Sequence, residues 1–326
     1  MVQWSTRGFL GRFTEARPPV WIGGSGDTGA GSQRYGDLTI TWEGTINRTN
    51  GKGTSVSPPF KGTLNVQRFI IPYRVYGAGS SSLVFINGVQ QSMAMWHSFV
   101  RRFSRSYRII LFDFPNQGGG RVVSGSPYLS LGDQVDILTA VIDATGVHGQ
   151  LSVCAASWGG VVALAYAVRY PNRLKSLILA SIGTRANQKM VDMITRGLAT
   201  PGFDRLKFAE SIIENFGRDL PAAMKKRIVG QFQRMDPEAF DAFFQHGSTV
   251  LSVRELAAVV DVAKVQCKTI IVYGENDTVV DLEDVKFLAS QLPRSELRLI
   301  KDVGHFLHLE RKELLDVYEE ILALAI

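Results

Sequence analysis

The sequence predicts an α/β protein with a mostly parallel sheet that is covered by helices on both faces. From Leu64 to the C-terminus, short runs of strand-forming residues alternate with helical patterns, which is typical of that architecture. The 326 residues are 45% hydrophobic and 20% charged, so the chain can bury a large core. The predicted strands are Arg68–Val75, Leu83–Ile86, Arg108–Phe112, Leu151–Cys154, Leu177–Ala180, Thr269–Val272 and Leu297–Ile300.

The first 62 residues differ from the rest in composition. They contain 12 of the 32 glycines, and Asn50-Gly51 is a candidate tight turn in a hairpin-like segment. We expect residues 1–62 to form a glycine-rich extension that is flexible or partly β, and a separate functional domain is the alternative. The α/β core is then predicted over 63–183 and 261–326.

The alternation of strands and helices has one long break, at residues 184–260. Apolar residues recur there at helical spacing with no convincing strand, so we predict an inserted helical cap. The last segment, KELLDVYEEILALAI, has the pattern of an amphipathic closing helix.

Composition excludes several classes of function. The formal net charge is +6, but the basic residues are scattered without a nucleic-acid-binding motif, so no nucleic-acid partner is expected. No apolar run reaches the length of a membrane span and no signal-peptide core is evident, so we predict a cytoplasmic protein. Cys154 and Cys267 lie in apolar runs and are interpreted as buried hydrophobes. No histidine pair has metal-ligand spacing, and we predict neither a metal nor a cofactor.

Ser157 lies where the strand-forming run LSVC gives way to an alanine-rich helical run. Small residues, Ala155 and Gly159, stand two positions before and after it, as a sharp strand-to-helix turn requires. Such a turn exposes the serine Oγ above the sheet. A serine that merely caps the helix is the structural alternative.

A serine nucleophile needs a base and an acid, which in this architecture follow it at later strand ends. Asp277 follows the strand IIVYG, and His305 follows the strand ELRLI. The preceding strand ends in Ser-Ile-Gly without a carboxylate, so Asp277 is also the choice by elimination. His308 is the alternative base, although a place at the start of a helix explains it equally well.

Two backbone amides are candidates for binding an oxyanion. The amide of Trp158 begins the helix after Ser157, and the amide of Val89 lies in the Asn87-Gly88-Val89 loop after the strand SLVFI. Gly88 permits a close backbone approach, and Asn87 supports the loop, although a purely structural asparagine turn explains Asn87 as well.

Five motifs together resemble a known family. They are INGV, IILFDFP from Ile109, CAASWGG, NQKMVDM from Asn187 and GHFLHLE from Gly304. From about Leu64 onward the chain resembles the α/β-hydrolase-fold superfamily, and within it most resembles 3-hydroxyacyl-ACP acyltransferases of rhamnolipid-precursor and polyhydroxyalkanoate monomer synthesis. The resemblance implies an α/β-hydrolase fold with a helical cap and an acyl substrate.

Methionines concentrate in two segments, the loop after the strand SLVFI and the cap. Flexible thioethers suit an adaptable apolar pocket, although packing between cap helices explains many of these residues equally well. The candidate substrate-binding residues are Met93, Met95, Met190, Met193 and Phe216.

These features predict a serine-dependent acyl-transfer enzyme with Ser157, His305 and Asp277 as its triad. The expected partner is an acyl ester or thioester of medium chain length, such as acyl-ACP or acyl-CoA, and the enzyme is an acyltransferase or an esterase. A small-ester carboxylic hydrolase and a non-catalytic ligand receptor on the same fold are the alternatives.

Overall fold

The computed structural model describes residues 28–35, 38–46, 59–89, 91–185, 187–199, 204–235, 237–238, 240–244 and 256–325. One sheet of eleven strands runs through this part of the chain. The strands are β1 Thr28–Tyr35, β2 Leu38–Ile46, β3 Phe60–Val66, β4 Phe69–Tyr76, β5 Ser81–Ile86, β6 Tyr107–Phe112, β7 Arg121–Val122, β8 Leu151–Ala156, β9 Leu174–Ala180, β10 Lys268–Gly274 and β11 Ser295–Ile300.

The sheet has an antiparallel part and a parallel part. Its order is β1-β2-β3-β4-β6-β5-β8-β9-β10-β11, with β7 paired to β4. Strands β1 to β4 pair antiparallel, as do β4 and β6, and every pair from β6 onward to β11 is parallel. The predicted α/β class with a mostly parallel sheet is confirmed, and each of the seven predicted strands overlaps an observed one.

The structure adds strands before the predicted start of the sheet. Strand β3 crosses the expected boundary at residue 62. Leu64 and Val66, two positions apart, are both buried, as is typical of a strand with one face on the core. Strand β2 pairs with β3 in the register Ile46 to Phe60. The expected turn at Asn50-Gly51 lies outside the described residues, and the wider division into extension, core and cap stays a prediction.

Helices cover both faces of the sheet. They are α1 His97–Phe103, α2 Leu131–Ala144, α3 Trp158–Arg169, α4 Gln188–Ala199, α5 Arg205–Phe216, α6 Ala222–Arg234, α7 Leu282–Gln291, α8 Leu307–Glu310 and α9 Leu314–Ala325. Buried residues of α2, α3 and α7 pack on one face, and those of α1 and α9 pack on the other. The closing helix predicted at the C-terminus is α9.

The inserted segment is helical where it is described. Among the described residues, helices α4, α5 and α6 follow β9 without a strand between them, and residues 240–244 are also helical. Five phenylalanines pack around one another in this segment, with Phe208 fully buried at the centre. Residues of α4, α5 and α6 line a cavity together with Ser157, so these helices lie over the carboxyl ends of the parallel strands, where the candidate residues are found.

Candidate active site

Ser157 occupies a strained turn between β8 and α3. Its backbone has φ 51° and ψ −125°, in a region that non-glycine residues rarely adopt. The amide of Ser157 donates to the carbonyl of Ala180 in the neighbouring strand at 2.8 Å, which ties the turn to the sheet. The side chain therefore projects at the carboxyl edge, and it caps no helix amide.

Gly159 shows why this turn needs small residues. A Cβ atom at Gly159 would lie 2.6 Å from the carbonyl oxygen of Asn87 and 2.9 Å from that of Ile86, both backbone atoms. A larger residue would push β5 and the following loop away from α3. The glycine of the pattern Ala-x-Ser-x-Gly thus reflects a steric requirement of the fold.

The structure brings Ser157, His305 and Asp277 into one hydrogen-bonded row. His305 Nε2 lies 3.2 Å from Ser157 Oγ, and His305 Nδ1 lies 2.9 Å from Asp277 Oδ2 and 3.1 Å from Oδ1. The Asp277 side chain is fully buried and that of His305 is 6% exposed. In this geometry an imidazole can accept the serine proton while the carboxylate orients the ring.

Backbone amides hold the carboxylate of Asp277. The amides of Val279 and Val280 donate to Asp277 Oδ1 at 2.7 and 3.1 Å. These bonds satisfy a buried anion that would otherwise carry a large desolvation cost. They also fix the rotamer in which the carboxylate faces His305.

The loop that carries His305 is supported by two side chains that the sequence analysis did not single out. Ser181 Oγ donates to the carbonyl of His305 at 2.7 Å. Glu310 accepts from the amides of Gly304 at 2.6 Å and Phe306 at 3.0 Å, and burial raises the pKa of its carboxyl. The close spacing of Glu310 to His305 in GHFLHLE was the available signal for this support.

The two candidate oxyanion amides lie on neighbouring segments. Trp158 is the first residue of α3, and Val89 follows Gly88, whose own amide donates to Gln91 Oε1 at 3.2 Å. Both Val89 and Trp158 line the cavity beside Ser157. The amide of Gly88 is thus engaged by Gln91, and the role of the Val89 and Trp158 amides stays a prediction.

Asn87 anchors the loop that leads to Val89. Its Nδ2 donates to the carbonyl of Phe112 at 3.1 Å, and its Oδ1 accepts from the indole of Trp96 at 2.8 Å. Asn87 is 2% exposed, so both ends of its amide are satisfied inside the protein. Asn87 therefore ties the loop to β6 and to Trp96, and its support of an oxyanion-binding loop stays a prediction.

His308 lies within α8 and does not join the row of catalytic candidates. Its ring stacks on Trp96 with centroids 4.6 Å apart, and neither ring nitrogen has a hydrogen-bond partner among the described residues. Burial, together with the nearby His305, lowers the pKa of His308 to about 3. His308 is therefore a neutral packing residue, and Ser157 Oγ meets His305 instead.

A cavity of about 190 Å³ opens at Ser157 between the core and α4, α5 and α6. Its walls are mostly apolar. Four of the five candidate substrate-binding residues line it, namely Met95, Met190, Met193 and Phe216. The acid-bearing loop contributes Val279 and Val280 to the same wall.

Met93 does not line this cavity, so its assignment as a pocket residue is wrong. Met93 is buried with Phe85 and Trp96 in the hydrophobic cluster on the α1 and α9 face of the sheet. Residues Met93–Trp96 form one turn of 3₁₀ helix, in which positions two apart point to different sides. Met95 therefore faces the cavity while Met93 faces the core.

The described residues contain neither a candidate metal site nor a candidate membrane-spanning helix. Among them, no cluster of three or more histidine, cysteine or acidic side chains could hold a metal ion. No helix there is both long and apolar enough to cross a membrane. Cys154 and Cys267 are both buried as free thiols, as the sequence analysis interpreted them.

Known proteins resemble this chain along most of its length. A (R)-3-hydroxydecanoyl-ACP:CoA transacylase of Pseudomonas putida is 25% identical over 74% of this chain and 83% of its own. A poly(3-hydroxyalkanoate) depolymerase of Ectopseudomonas oleovorans is 27% identical over 71% of this chain and 80% of its own. The resemblance expected from the five motifs is thereby confirmed.

Solved structures show the same fold. The enol-lactonase of Burkholderia xenovorans LB400 superposes with a TM-score of 0.66 at 16% identity, over 79% of this chain and 98% of its own. Residues 82–312, more than two thirds of the chain, match the family described as alpha/beta hydrolase fold. This protein is therefore an enzyme of the alpha/beta hydrolase fold family.

Proposed function

We propose that this protein is a serine-dependent acyl-transfer enzyme acting on an ester or thioester of a medium-chain (hydroxy)acyl group. The main support is the continuous row of hydrogen bonds from Asp277 through His305 to Ser157, whose hydroxyl opens into an apolar cavity. A packing serine would need neither the strained turn nor the buried imidazole and carboxylate beside it.

In the proposed reaction Ser157 Oγ attacks the acyl carbonyl carbon as His305 Nε2 takes the hydroxyl proton. The carbonyl oxygen becomes an oxyanion, which the amides of Val89 and Trp158 stabilise. Collapse of this intermediate breaks the bond to the leaving alcohol or thiol, which receives the proton from His305. Asp277 holds the imidazolium in the correct orientation throughout.

The second half of the reaction uses the same groups in reverse order. An acceptor hydroxyl or thiol, or water, gives its proton to His305 Nε2 and attacks the acyl-serine carbonyl. Collapse of this second intermediate breaks the bond to Ser157 Oγ, which takes the proton back from His305. If water reaches the acyl-enzyme first, the protein is an esterase; if the cap excludes water and admits a hydroxyacyl or carrier-bound acceptor, it is an acyltransferase. The cap over Ser157 is the element that would control which of them reaches the acyl-enzyme.

The acyl class is inferred from the cavity and the relatives together. The apolar wall formed by Met190, Met193 and Phe216 suits an alkyl chain, and thioethers adapt to chains of different shape. The names of the transacylase and the depolymerase both specify 3-hydroxyacyl compounds. A small-ester hydrolase would have little use for so extended an apolar wall.

Intact-mass analysis tests the proposal. Wild-type protein is mixed with 3-hydroxydecanoyl-ACP, decanoyl-CoA, p-nitrophenyl decanoate or p-nitrophenyl acetate, and CoA, a hydroxyacyl acceptor or water then discharges any adduct. We expect the C10 donors to add one decanoyl or one 3-hydroxydecanoyl group, according to the donor, and this mass increase to be absent from Ser157→Ala. Faster loading by acetate would favour the small-ester hydrolase, and loading by no donor would favour the receptor.

A further inference from the structure

The turn that carries Asp277 has a second face, which contacts the cap. We name residues Asp277–Val280 the acid turn. Toward the active site, the amides of Val279 and Val280 donate to Asp277 Oδ1. The carbonyl groups of the same two peptide units point the other way, because the C=O and N–H of a planar peptide are held on opposite sides.

Asn187, immediately before α4, binds both of those carbonyl groups. Its side-chain Nδ2 donates to the carbonyl of Thr278, and its backbone amide donates to the carbonyl of Val279 at 3.2 Å. The first bond grips the peptide unit whose N–H belongs to Val279, and the second grips the unit whose N–H belongs to Val280. Two peptide units in succession therefore bridge Asn187 to the Asp277 carboxylate.

The side-chain oxygen of Asn187 caps the first turn of α4. Asn187 Oδ1 accepts from the amide of Met190 at 3.1 Å, the position at which an N-cap side chain binds the third helical residue. The same side chain thus begins α4 and holds the acid turn. Thr278 Oγ1 also donates to the carbonyl of Asn215 in α5, which adds a second tie between the acid turn and the cap.

The cavity touches both sides of this junction. Met190 and Met193 of α4 line one part of its wall, and Val279 and Val280 of the acid turn line another. An alkyl chain that fills the cavity would pack against α4 and the acid turn together. Asn187 links these two surfaces.

We propose that Asn187 is a positioning residue that orients Asp277 through the two peptide units of the acid turn. In this arrangement an acyl chain packed against α4 also steadies the carboxylate that holds His305. Part of the binding energy of the chain is then expressed in kcat. This inference rests on the proposed acyl-transfer function.

The chain offers a matched control for the capping role. Asp204 is the N-cap of the next cap helix, α5, where its exposed side chain accepts from the amides of Leu206 and Lys207 at 2.9 and 3.3 Å. Asp204→Ala and Asn187→Ala each remove one N-cap from a cap helix, and only Asn187→Ala removes the bond to Thr278. Asn187→Ser keeps a capping oxygen but lacks the amide nitrogen.

The experiment measures kcat and KM separately for straight-chain p-nitrophenyl esters from acetate to decanoate. We expect Asn187→Ala and Asn187→Ser to lose about 10²-fold in kcat with the decanoate, the scale of a small misplacement of a catalytic group. The dependence of KM on chain length should persist. Asn187→Ser should recover the melting temperature of the wild type without recovering kcat.

Two results would separate failure of this inference from failure of the proposed function. If kcat of both Asn187 variants stays within about twofold of Asp204→Ala for every donor, Asn187 only caps α4 and the positioning role is wrong. Labelling of wild-type Ser157 by a fluorophosphonate in the same preparations checks the nucleophile independently. Absence of that labelling would overturn the proposed function itself.

Discussion

The predicted core and the predicted cap of this enzyme are stabilised by different interactions. In the predicted core, backbone groups hold the proposed triad: the Ser157 amide donates to the carbonyl of Ala180, and the amides of Val279 and Val280 donate to Asp277. In the predicted cap, side chains make the contacts between helices, since α5, α6 and residues 240–244 pack together through a cluster of phenylalanines. Backbone hydrogen bonds at strand ends therefore hold the proposed catalytic residues, whereas apolar side-chain packing holds the predicted cap together.

The largest effect is expected in the core, at the proposed base. His305→Ala should lower kcat by about 10⁴- to 10⁶-fold, because members of a triad act as a unit. His308→Phe, which keeps an aromatic ring against Trp96, should lose far less. Steady-state kinetics with a decanoyl ester checks both, and equal losses would show that the base had been assigned to the wrong histidine.

Substitutions inside the predicted cap should lower the free energy of unfolding more than they lower kcat. Phe208 is fully buried among four other phenylalanines, so Phe208→Ala should lower the free energy of unfolding by about 3–5 kcal/mol. Leu206 lies on the same helix and is 38% exposed, so Leu206→Ala should change it by about 0.5 kcal/mol or less. Urea unfolding measures both, and similar losses would mean that the phenylalanine cluster does not hold the cap.

The pH dependence of stability tests whether His308, which is buried against Trp96, stays neutral in the folded protein. The folded pKa of His308 is lowered to about 3 by burial, so between pH 6.5 and 3 the unfolded state binds the proton that the folded state refuses. Stability should therefore fall as pH falls through this window, by about 1.4 kcal/mol per pH unit from this residue.

His308→Phe should remove that contribution and leave a shallower loss of stability in acid. Urea unfolding at several pH values between 3 and 7 gives the two slopes. Identical slopes for the wild type and the variant would mean that His308 is not held neutral by its surroundings.

The smallest expected effect is the increase in kcat/KM for each methylene added to the substrate. If the cap wall binds the alkyl chain, each buried methylene contributes up to about 0.8 kcal/mol, so kcat/KM should rise severalfold per two carbons until the cavity is filled. A series of p-nitrophenyl esters from acetate to tetradecanoate measures it. A steady fall from acetate upward would reduce the cap residues to packing.

The sequence predicted the site residues of the core better than it predicted the packing of the cap. The strand-to-helix turn at Ser157 and the later turns at Asp277 and His305 could be predicted, because each follows a distinct strand pattern. The cap is different, since helical periodicity identifies its apolar residues without telling which face of each helix they occupy. Phe208 packs inside the cap while Phe216 lines the cavity, although both belong to α5.

Contacts between distant segments were not predictable. Met93 and Met95 stand two residues apart, and only the 3₁₀ turn decides that Met95 faces the cavity. The bonds from Ser181 to His305 and from Asn187 to Thr278 join residues separated by 124 and 91 positions. No local pattern marks such pairs, because folding alone brings them together.

The central claim is that Ser157 is the nucleophile of the reaction, and covalent labelling tests it most directly. Wild-type protein and Ser157→Ala are treated with a fluorophosphonate, and the site of any adduct is read by peptide mass spectrometry alongside turnover of a decanoyl ester. The account predicts one adduct on Ser157, none in the variant, and a loss of kcat of about 10⁴- to 10⁶-fold. Undiminished turnover by Ser157→Ala, or an adduct on another residue, would contradict it.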